Sequence, residues 1–368
     1  MADAPAAPPP PLSPGDTVAM LGGGQLGRML LMAAARLGLR TVVLDPDPHA
    51  PAAQVANRHI ARSFDDEGAL DELSRIADRI TLEFENVPLA ALERLEAAAR
   101  LGGAPLLPSS RSLRVAGDRV EEKRAMEALG LAVAPYRAVD DASDLRRARA
   151  ALGAVILKTR RMGYDGKGQR PIPLDASADD AERLRAELGG RDLVAERRVA
   201  LDAELSVVAV RGPDGALIAF DAARNVHENG ILRHSTVPAG LGEALEGEAR
   251  AAALAIAAAL DHVGALGVEF FVSGGHLLVN EIAPRVHNSG HWTEAVCAVD
   301  QFEAHMRAVS GLPLGDGSRR AAAAMRNLLG EEAGDLAALC ADPAVRVHLY
   351  GKREARPGRK MGHATRIG

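Results

Sequence analysis

The 368-residue sequence predicts an α/β domain followed by an α+β body and a short third piece, on three observations. Strand-like and helix-like segments alternate from Asp16 to about Pro108, a glycine-dense loop then lies between two apolar runs, and two hairpin signals follow, PDG at 213–215 and SGG at 273–275. Alternation of the first kind builds a parallel sheet with right-handed crossovers. A turn tripeptide between apolar runs reads as an antiparallel hairpin.

In chain order, TVAMLG, RTVVLD and RITLEF are the strands of the first unit, and GRMLLMAAARLG and DEGALDELSRIAD its helices, which makes residues 15–110 a Rossmann-like domain. The preceding MADAPAAPPPPLSPG has no cationic start and no apolar stretch, so it is neither a signal nor a transit peptide, and residues 1–14 are expected to be a disordered, partly polyproline tail. The second domain, 111–305, opens with helix over 109–131, then a short strand and a helix ending near Leu152. AVILK, QRPIPL, a helix over 178–188 and DLVAERRV make a small α+β lid at about 130–200. AELSVVAVRGPDGALIAF begins a set of hairpin strands, a helix is expected over 243–263, and VEFFVSGGHLLVNEIA is a hairpin. The remaining helices and ARPGRKMGHATRIG form a small C-terminal domain, 306–368, the boundaries being changes of architecture within one compact body.

Composition narrows the partners. A net charge of -5 and a pI near 6.1 give no basic field for a nucleic-acid backbone, so a phosphate-bearing partner should be a small nucleotide. Cys297 and Cys340 show neither CxxC spacing nor a disulfide framework, pointing to a reducing compartment, the cytoplasm. The most apolar run, AAALAIAAAL at 251–260, is about half the roughly 20 residues of a membrane span and reads as a buried helix.

Five constellations carry chemistry. Gly22, Gly24 and Gly27 form GxGxxG between a strand and a helix, with Asp45 ending the next strand; this is either a dinucleotide fingerprint or a tight turn serving strand–helix packing or another phosphate ligand. GYDGKGQ, Gly163 to Gln169, lies between two strands with Lys158 ending the first. Its glycines let backbone amides fold over phosphate oxygens while Lys158 and Lys167 neutralise charge; the alternative is a solvated hairpin. Glu269 and Glu281 lie six residues to either side of Gly275, which makes them cross-strand neighbours able to share a hard cation, magnesium before zinc, or else two outward-facing surface acids. Arg285, His287, Asn288, Ser289 and His291 crowd a helix start, an anion site unless the histidines cap or pack. Lys352, Arg353, Arg356, Arg359 and Lys360 flank the Pro357–Gly358 turn, which aims Lys352 and Arg359 at a ribose phosphate or belongs to a solvated face.

Taken in order, GGGQLGRM, GYDGKGQ, the ERRV segment, NEIAPRVHNSGHWTE and RPGRKMGH closely resemble the ATP-grasp family of N5-carboxyaminoimidazole ribonucleotide synthases, from about Gly15 to His363. The resemblance implies an ATP-grasp fold with an N-terminal Rossmann-like (pre-ATP-grasp) domain and a small C-terminal domain. It implies an ATP site made by Arg119, Lys158, the lid residues Gly163, Tyr164, Asp165, Gly166, Lys167, Gly168 and Gln169, and His227. The adenine would lie against Glu196, Arg197, Arg198 and Val199, and Glu204 would hold the ribose. Glu269 and Glu281 would hold magnesium with Asn280 beside them. The aminoimidazole ribonucleotide would meet Tyr164, Asp165, Lys167, Arg285, His287, Asn288, Lys352 and Arg359, with Glu85 a weaker carry-over. The glycine turn then belongs to the substrate side and not to NAD.

The implied reaction is attack of bicarbonate on the γ-phosphorus of ATP, giving carboxyphosphate, which carboxylates the exocyclic amine and leaves ADP and phosphate. Carboxyphosphate hydrolyses in water, so the lid must exclude solvent. Asp165 is the group expected to orient the amine and accept its proton, with Lys352, Arg285 and His287 beside it. The resemblance also implies a homodimer. The chain stops five residues after His363, short of the last strand and helix expected of many relatives, which bears on stability and dimerisation. The nearest alternative is another ATP-grasp ligase, such as a formate-dependent glycinamide ribonucleotide transformylase, differing in the acceptor. A nucleotide-binding regulatory module without turnover is the alternative from another class.

Overall fold

A computed structural model describes residues 8–163 and 168–368. The first domain comprises β1 (Thr17–Leu21), α1 (Gln25–Arg36), β2 (Arg40–Leu44), β3 (Arg58–Ile60), α2 (Glu67–Ile76) and β4 (Arg79–Leu82), its strands parallel in the order β3-β2-β1-β4. Leu26, Met29, Leu30, Ala33 and Ala34 give α1 a helical-period apolar stripe, and that face is buried. Strand β3, only three residues long, is too short for alternation to announce it.

Residues 8–14 are not a loose tail, contrary to expectation. Leu12 is buried and its N–H donates to Ser310 O at 2.9 Å, while Arg79 donates to Pro10 O. An extended proline-rich segment loses little entropy on docking, and one leucine anchors it.

Helices α3 (Leu89–Arg100), α4 (Ser110–Ala116) and α5 (Arg119–Ala128) lead into the second domain. The helix expected over 109–131 is therefore two. The chain breaks at Gly117–Asp118, where the Asp118 carboxylate accepts from Val120 N–H at 3.0 Å and caps α5. Then come β5 (Tyr136–Val139), α6 (Ala142–Leu152), β6 (Val155–Thr159), β7 (Gln169–Ile172), α7 (Ala178–Glu187) and β8 (Leu193–Arg197). They form a separate antiparallel sheet, β5-β8-β6-β7, with its own apolar core around Leu145, Leu157 and Leu193.

The largest sheet has nine strands. It draws on β9 (Ala203–Arg211), β10 (Leu217–Ala219), β11 (Ala223–Glu228), β12 (Ile231–Val237), β13 (Gly264–Ser273) and β14 (His276–Ala283), with α8 (Glu243–Ala259) packed against it. Helix α8 ends four residues earlier than expected, because Asp261 turns the chain with φ of 50° and His262 closes the turn on Ala257 O.

After α9 (Thr293–Val296) and α10 (Gln301–Val309) come β15 (Ala323–Leu329), α11 (Leu336–Cys340), β16 (Val345–Leu349) and β17 (Lys360–Ile367). Two expectations fail here. The boundary at 305 falls inside α10, a continuous helix capped by Asp300, which accepts from Phe302 N–H at 2.9 Å and Glu303 N–H at 2.8 Å. The C-terminal piece is mainly strand, not helix: β15 pairs with β12, and β17 and β16 extend the sheet in the order β12-β15-β17-β16. Along Ala323–Leu329 the exposed Ala324 and the buried Asn327 interrupt the apolar alternation, so apolar periodicity alone does not announce the strand.

Candidate functional site

A cavity of about 590 Å³ opens where the three sheets meet, lined from the first domain by Gln25, Glu83 and Glu85, from the lid by Lys158, Gly163 and Gln169, and from the large sheet by the acids of β13 and β14. The hairpin is the informative element. Gly274 and Gly275 both have positive φ, 58° and 77°, which suits a two-residue turn and pairs Ser273 with His276. That register alone would set Glu269 against Asn280. A bulge between Glu269 and Phe270 shifts it by one residue, so Glu269 faces Glu281 as expected.

Two carboxylates are thus held side by side with few cations to match them. Arg119, at the start of α5, donates to Glu281 Oε2 at 2.9 Å, and His287 Nε2 lies 3.3 Å from Glu269 Oε1. Burial and the Glu281 charge push the Glu269 carboxyl up to about 7. Burial acts on Glu281 too, but the Arg119 guanidinium outweighs it and holds that carboxyl down at about 2. Beside them the Asn280 Oδ1 is buried with no hydrogen-bond partner. Two carboxylates of unequal proton affinity and an orphaned amide oxygen are a set of hard donors, which fits magnesium and gives nothing to a soft ion.

Around this pair, Lys158 donates to Glu196 Oε2 at 2.9 Å, with Lys123 Nζ 3.4 Å from Oε1. Burial raises the Glu196 carboxyl, and the two ammonium groups overcome it and hold it below the usual range. Glu204 is paired with His227 Nδ1. Gly168 takes φ of 74° directly after the lid loop, and Tyr164, Asp165, Gly166 and Lys167 lie outside the described residues.

On the opposite wall Arg285 makes a forked ion pair with Glu85. His287 donates its N–H to Gln301 Oε1 at 2.9 Å, and its Nδ1 lies 2.7 Å from Ser289 Oγ. Burial and the Arg285 charge push the His287 imidazole down to about 3, so it is neutral at pH 7. Asn288 lines the cavity with both side-chain polar atoms buried and unpartnered. Lys352 Nζ donates to Gln25 Oε1 and to Lys360 O, each at 2.6 Å.

Not every expected residue reaches the cavity. Arg197, Arg198 and Val199 do not line it; Arg197 and Arg198 are exposed, and their backbones close the strand on Pro135 and Ala154. Arg359 is also off the lining and donates to Glu354 O at 3.0 Å. His291 packs in the core behind, its Nδ1 3.0 Å from Gln301 Nε2. Sequence reasoning missed Gln25, Phe271 and Glu83. Glu83 decides what the glycine turn does: it accepts from Gly24 N–H at 2.5 Å and Gly27 N–H at 2.7 Å, while Asp45 accepts from Gly23 N–H at 2.7 Å. The amides that a dinucleotide phosphate would need are occupied by the protein's own acids, so the NAD reading of GxGxxG fails.

Comparison with known proteins agrees with this geometry. Residues 16–117 match the ribonucleotide synthetase preATP-grasp domain, 124–302 the ATP-grasp domain, and 323–368 the phosphoribosylaminoimidazole carboxylase C-terminal domain. A curated N5-carboxyaminoimidazole ribonucleotide synthase of Brucella melitensis is 49% identical over 97% of this chain and 97% of its own length. The chain belongs to the N5-carboxyaminoimidazole ribonucleotide synthase family. The Bacillus subtilis synthase is 40% identical over 96% of this chain and 91% of its own. Among solved synthases, an ADP complex superposes with a TM-score of 0.91 at 40% identity, covering 97% of this chain and 94% of that one. The Aspergillus clavatus synthase, in complex with ADP and 5-aminoimidazole ribonucleotide, gives 0.87 at 31% identity over 96% and 94%. Members of the family are ATP-dependent ligases of the ATP-grasp fold, and this chain is one of them.

Proposed function

We propose that the chain carboxylates the exocyclic amine of 5-aminoimidazole ribonucleotide with ATP and bicarbonate, releasing ADP and phosphate through carboxyphosphate, in purine biosynthesis. The observation that carries the reading is one cavity with two chemically different walls: the Glu269–Glu281 pair with orphaned Asn280 on one side, and Arg285, neutral His287, orphaned Asn288 and Lys352 on the other. The curated and solved relatives above all carry the carboxyaminoimidazole name, so a formate-dependent transformylase is not favoured.

The two walls divide the work. Arg119 and Lys158, which line the cavity, are assigned to the phosphate charge, and Glu204 and His227 to the rest of the nucleotide. Glu269 and Glu281 would hold magnesium, which would supply further neutralisation of phosphate charge. Bicarbonate attacks the γ-phosphorus, the bond to the β-phosphate oxygen breaks, and ADP leaves. Arg285 and His287 hold the carboxylate end of the mixed anhydride; because His287 is neutral it donates or accepts one hydrogen bond without adding charge. Asn288 offers an amide donor and acceptor to the ribonucleotide, and Lys352 its ammonium to the ribose phosphate. Asp165 orients the amine and takes its proton as the C–N bond forms and phosphate departs. The ATP phosphates are assigned to Gly163, Tyr164, Gly166, Lys167, Gly168 and Gln169, as the resemblance implies.

Localisation in the cytoplasm is part of this reading. It is supported by the separate, unpaired Cys297 and Cys340 and by the lack, among the described residues, of a helix long and apolar enough to cross a membrane. A homodimer of this chain is likewise part of this reading, on the family resemblance.

The test is ADP release from ATP and magnesium with the ribonucleotide and bicarbonate each supplied or omitted, together with incorporation of labelled bicarbonate. Both signals should require both co-substrates, and Asp165→Asn should bind ATP normally while losing incorporation. ADP release with another acceptor would replace the substrate; full activity in Asp165→Asn would remove Asp165 from its role.

A further inference from the structure

Strands β16 and β17 pair antiparallel so that His348 stands directly opposite His363, with Arg346 and Thr365 the next pair on the same face. Over that face lies α9, and Glu294 from it reaches both rings. Its Oε2 is 3.2 Å from His348 Nδ1 and 3.2 Å from His363 Nε2. Two imidazole nitrogens and one carboxylate oxygen therefore converge on one point, and they border a second cavity of about 240 Å³ that also meets Arg36, Asp300 and Thr365. The Thr365 Oγ1 is buried, 1% exposed, and has no hydrogen-bond partner. It faces a space where an oxygen ligand would complete it.

We propose that Glu294, His348 and His363 bind a divalent transition-metal ion of the zinc class, with a water in the fourth position on the cavity side. For metal–ligand bonds of about 2.0–2.1 Å, tetrahedral geometry puts neighbouring donors roughly 3.3 Å apart, and both His–Glu separations match that edge. The donor set, two borderline nitrogens and one oxygen, selects zinc, cobalt or nickel over magnesium. The outer partner is already in place. Tyr350 is fully buried with its hydroxyl 3.0 Å from His363 Nδ1, so an Nδ1–H donated to that oxygen leaves the Nε2 lone pair for the metal.

The site is separate from the Glu269–Glu281 pair and would act structurally. Glu294 follows within a few residues of Asn288, whereas His348 and His363 belong to the C-terminal strands. An ion here ties the C-terminal strands to the loop that carries the acceptor-side residues.

The experiment is titration of the chelator-stripped full chain, without nucleotide, by Co²⁺ and Zn²⁺. Co²⁺ is followed by its visible absorption, Zn²⁺ by calorimetry, and thermal melts are recorded with and without metal. Wild type should bind one ion per chain, show the strong visible bands of tetrahedral cobalt, and melt higher with metal. Partly exposed His348→Ala, with Glu294→Gln as the second variant, should weaken binding by at least about tenfold, the loss that removal of even an outer partner brings. Glu269→Gln should leave this binding intact. No binding by wild type, or binding that survives His348→Ala and disappears in Glu269→Gln, overturns the proposal.

Discussion

Glu83 and Glu85 reach the cavity from the first domain, and Glu269 and Glu281 reach it from the large sheet; both pairs are acidic and largely buried, but they are in opposite states. Glu83 takes two backbone amides at the start of α1, and Glu85 takes both arms of Arg285, so that pair is satisfied by the protein. The second pair has one guanidinium and one neutral imidazole between two carboxylates, and its neighbour Asn280 has an orphaned oxygen. Buried acids that are fully matched build structure, whereas buried acids left short of positive charge mark where something else binds.

The comparison can be broken most severely at Glu281. Glu281→Gln should lower ADP formation by about two to three orders of magnitude, the scale of losing an electrostatic contact made in the transition state, while leaving the melting temperature near wild type. A variant that loses stability but keeps turnover would put this acid with Glu83 instead. Glu83→Ala should do the reverse. It strands the Gly24 and Gly27 amides and should cost about 2–3 kcal/mol in urea unfolding, with a smaller change in turnover.

A buried group with only internal partners sharpens the contrast through pH. His262 lies 3.0 Å from Ser112 Oγ and 2.9 Å from Ala265 O, and burial pushes its imidazole down to about 4. The folded pKa is below the unfolded value near 6.5, so this contribution is complete above pH 6.5 and is lost as pH falls toward 4. Between pH 7 and pH 5 it should account for on the order of 2 kcal/mol, read as the difference in pH dependence between wild type and His262→Gln. A variant whose urea midpoint follows wild type across that range would show that His262 is not held neutral.

Local patterns made much of this visible in the sequence. The βα alternation, the two hairpins and the facing of Glu269 and Glu281 are encoded by residues close in the chain. Even so, the carboxylate pairing depends on a bulge that no periodicity announces, and counting outward from Gly275 reached the right partners only because the bulge restores the register. What stayed hidden is long-range. The Glu85–Arg285 fork joins residues 200 apart, and the Glu83 cap joins residues 56 and 59 apart, so neither has a local signature. Arg197, Arg198 and Val199 rest on the family resemblance, and Arg359 on that and on the Pro357–Gly358 turn, and the folded strand and turn carry all four away from the cavity lining. Of the C-terminal strands, β15 has no clean apolar alternation because Ala324 faces out and Asn327 faces in, whereas β16, VRVHL, does alternate but is only five residues long.

The continuous sheet that runs from β14 through β12 into β15, β17 and β16 has a mechanical consequence. A ladder of backbone hydrogen bonds is stiff across its strands, so the Glu269–Glu281 pair and Lys352, just beyond the end of β16, are mounted on one frame. Adjustment between nucleotide and acceptor is left to the separate four-stranded sheet, which hangs from the frame with its own core. In engineering terms the molecule is a fixed anvil with one jaw.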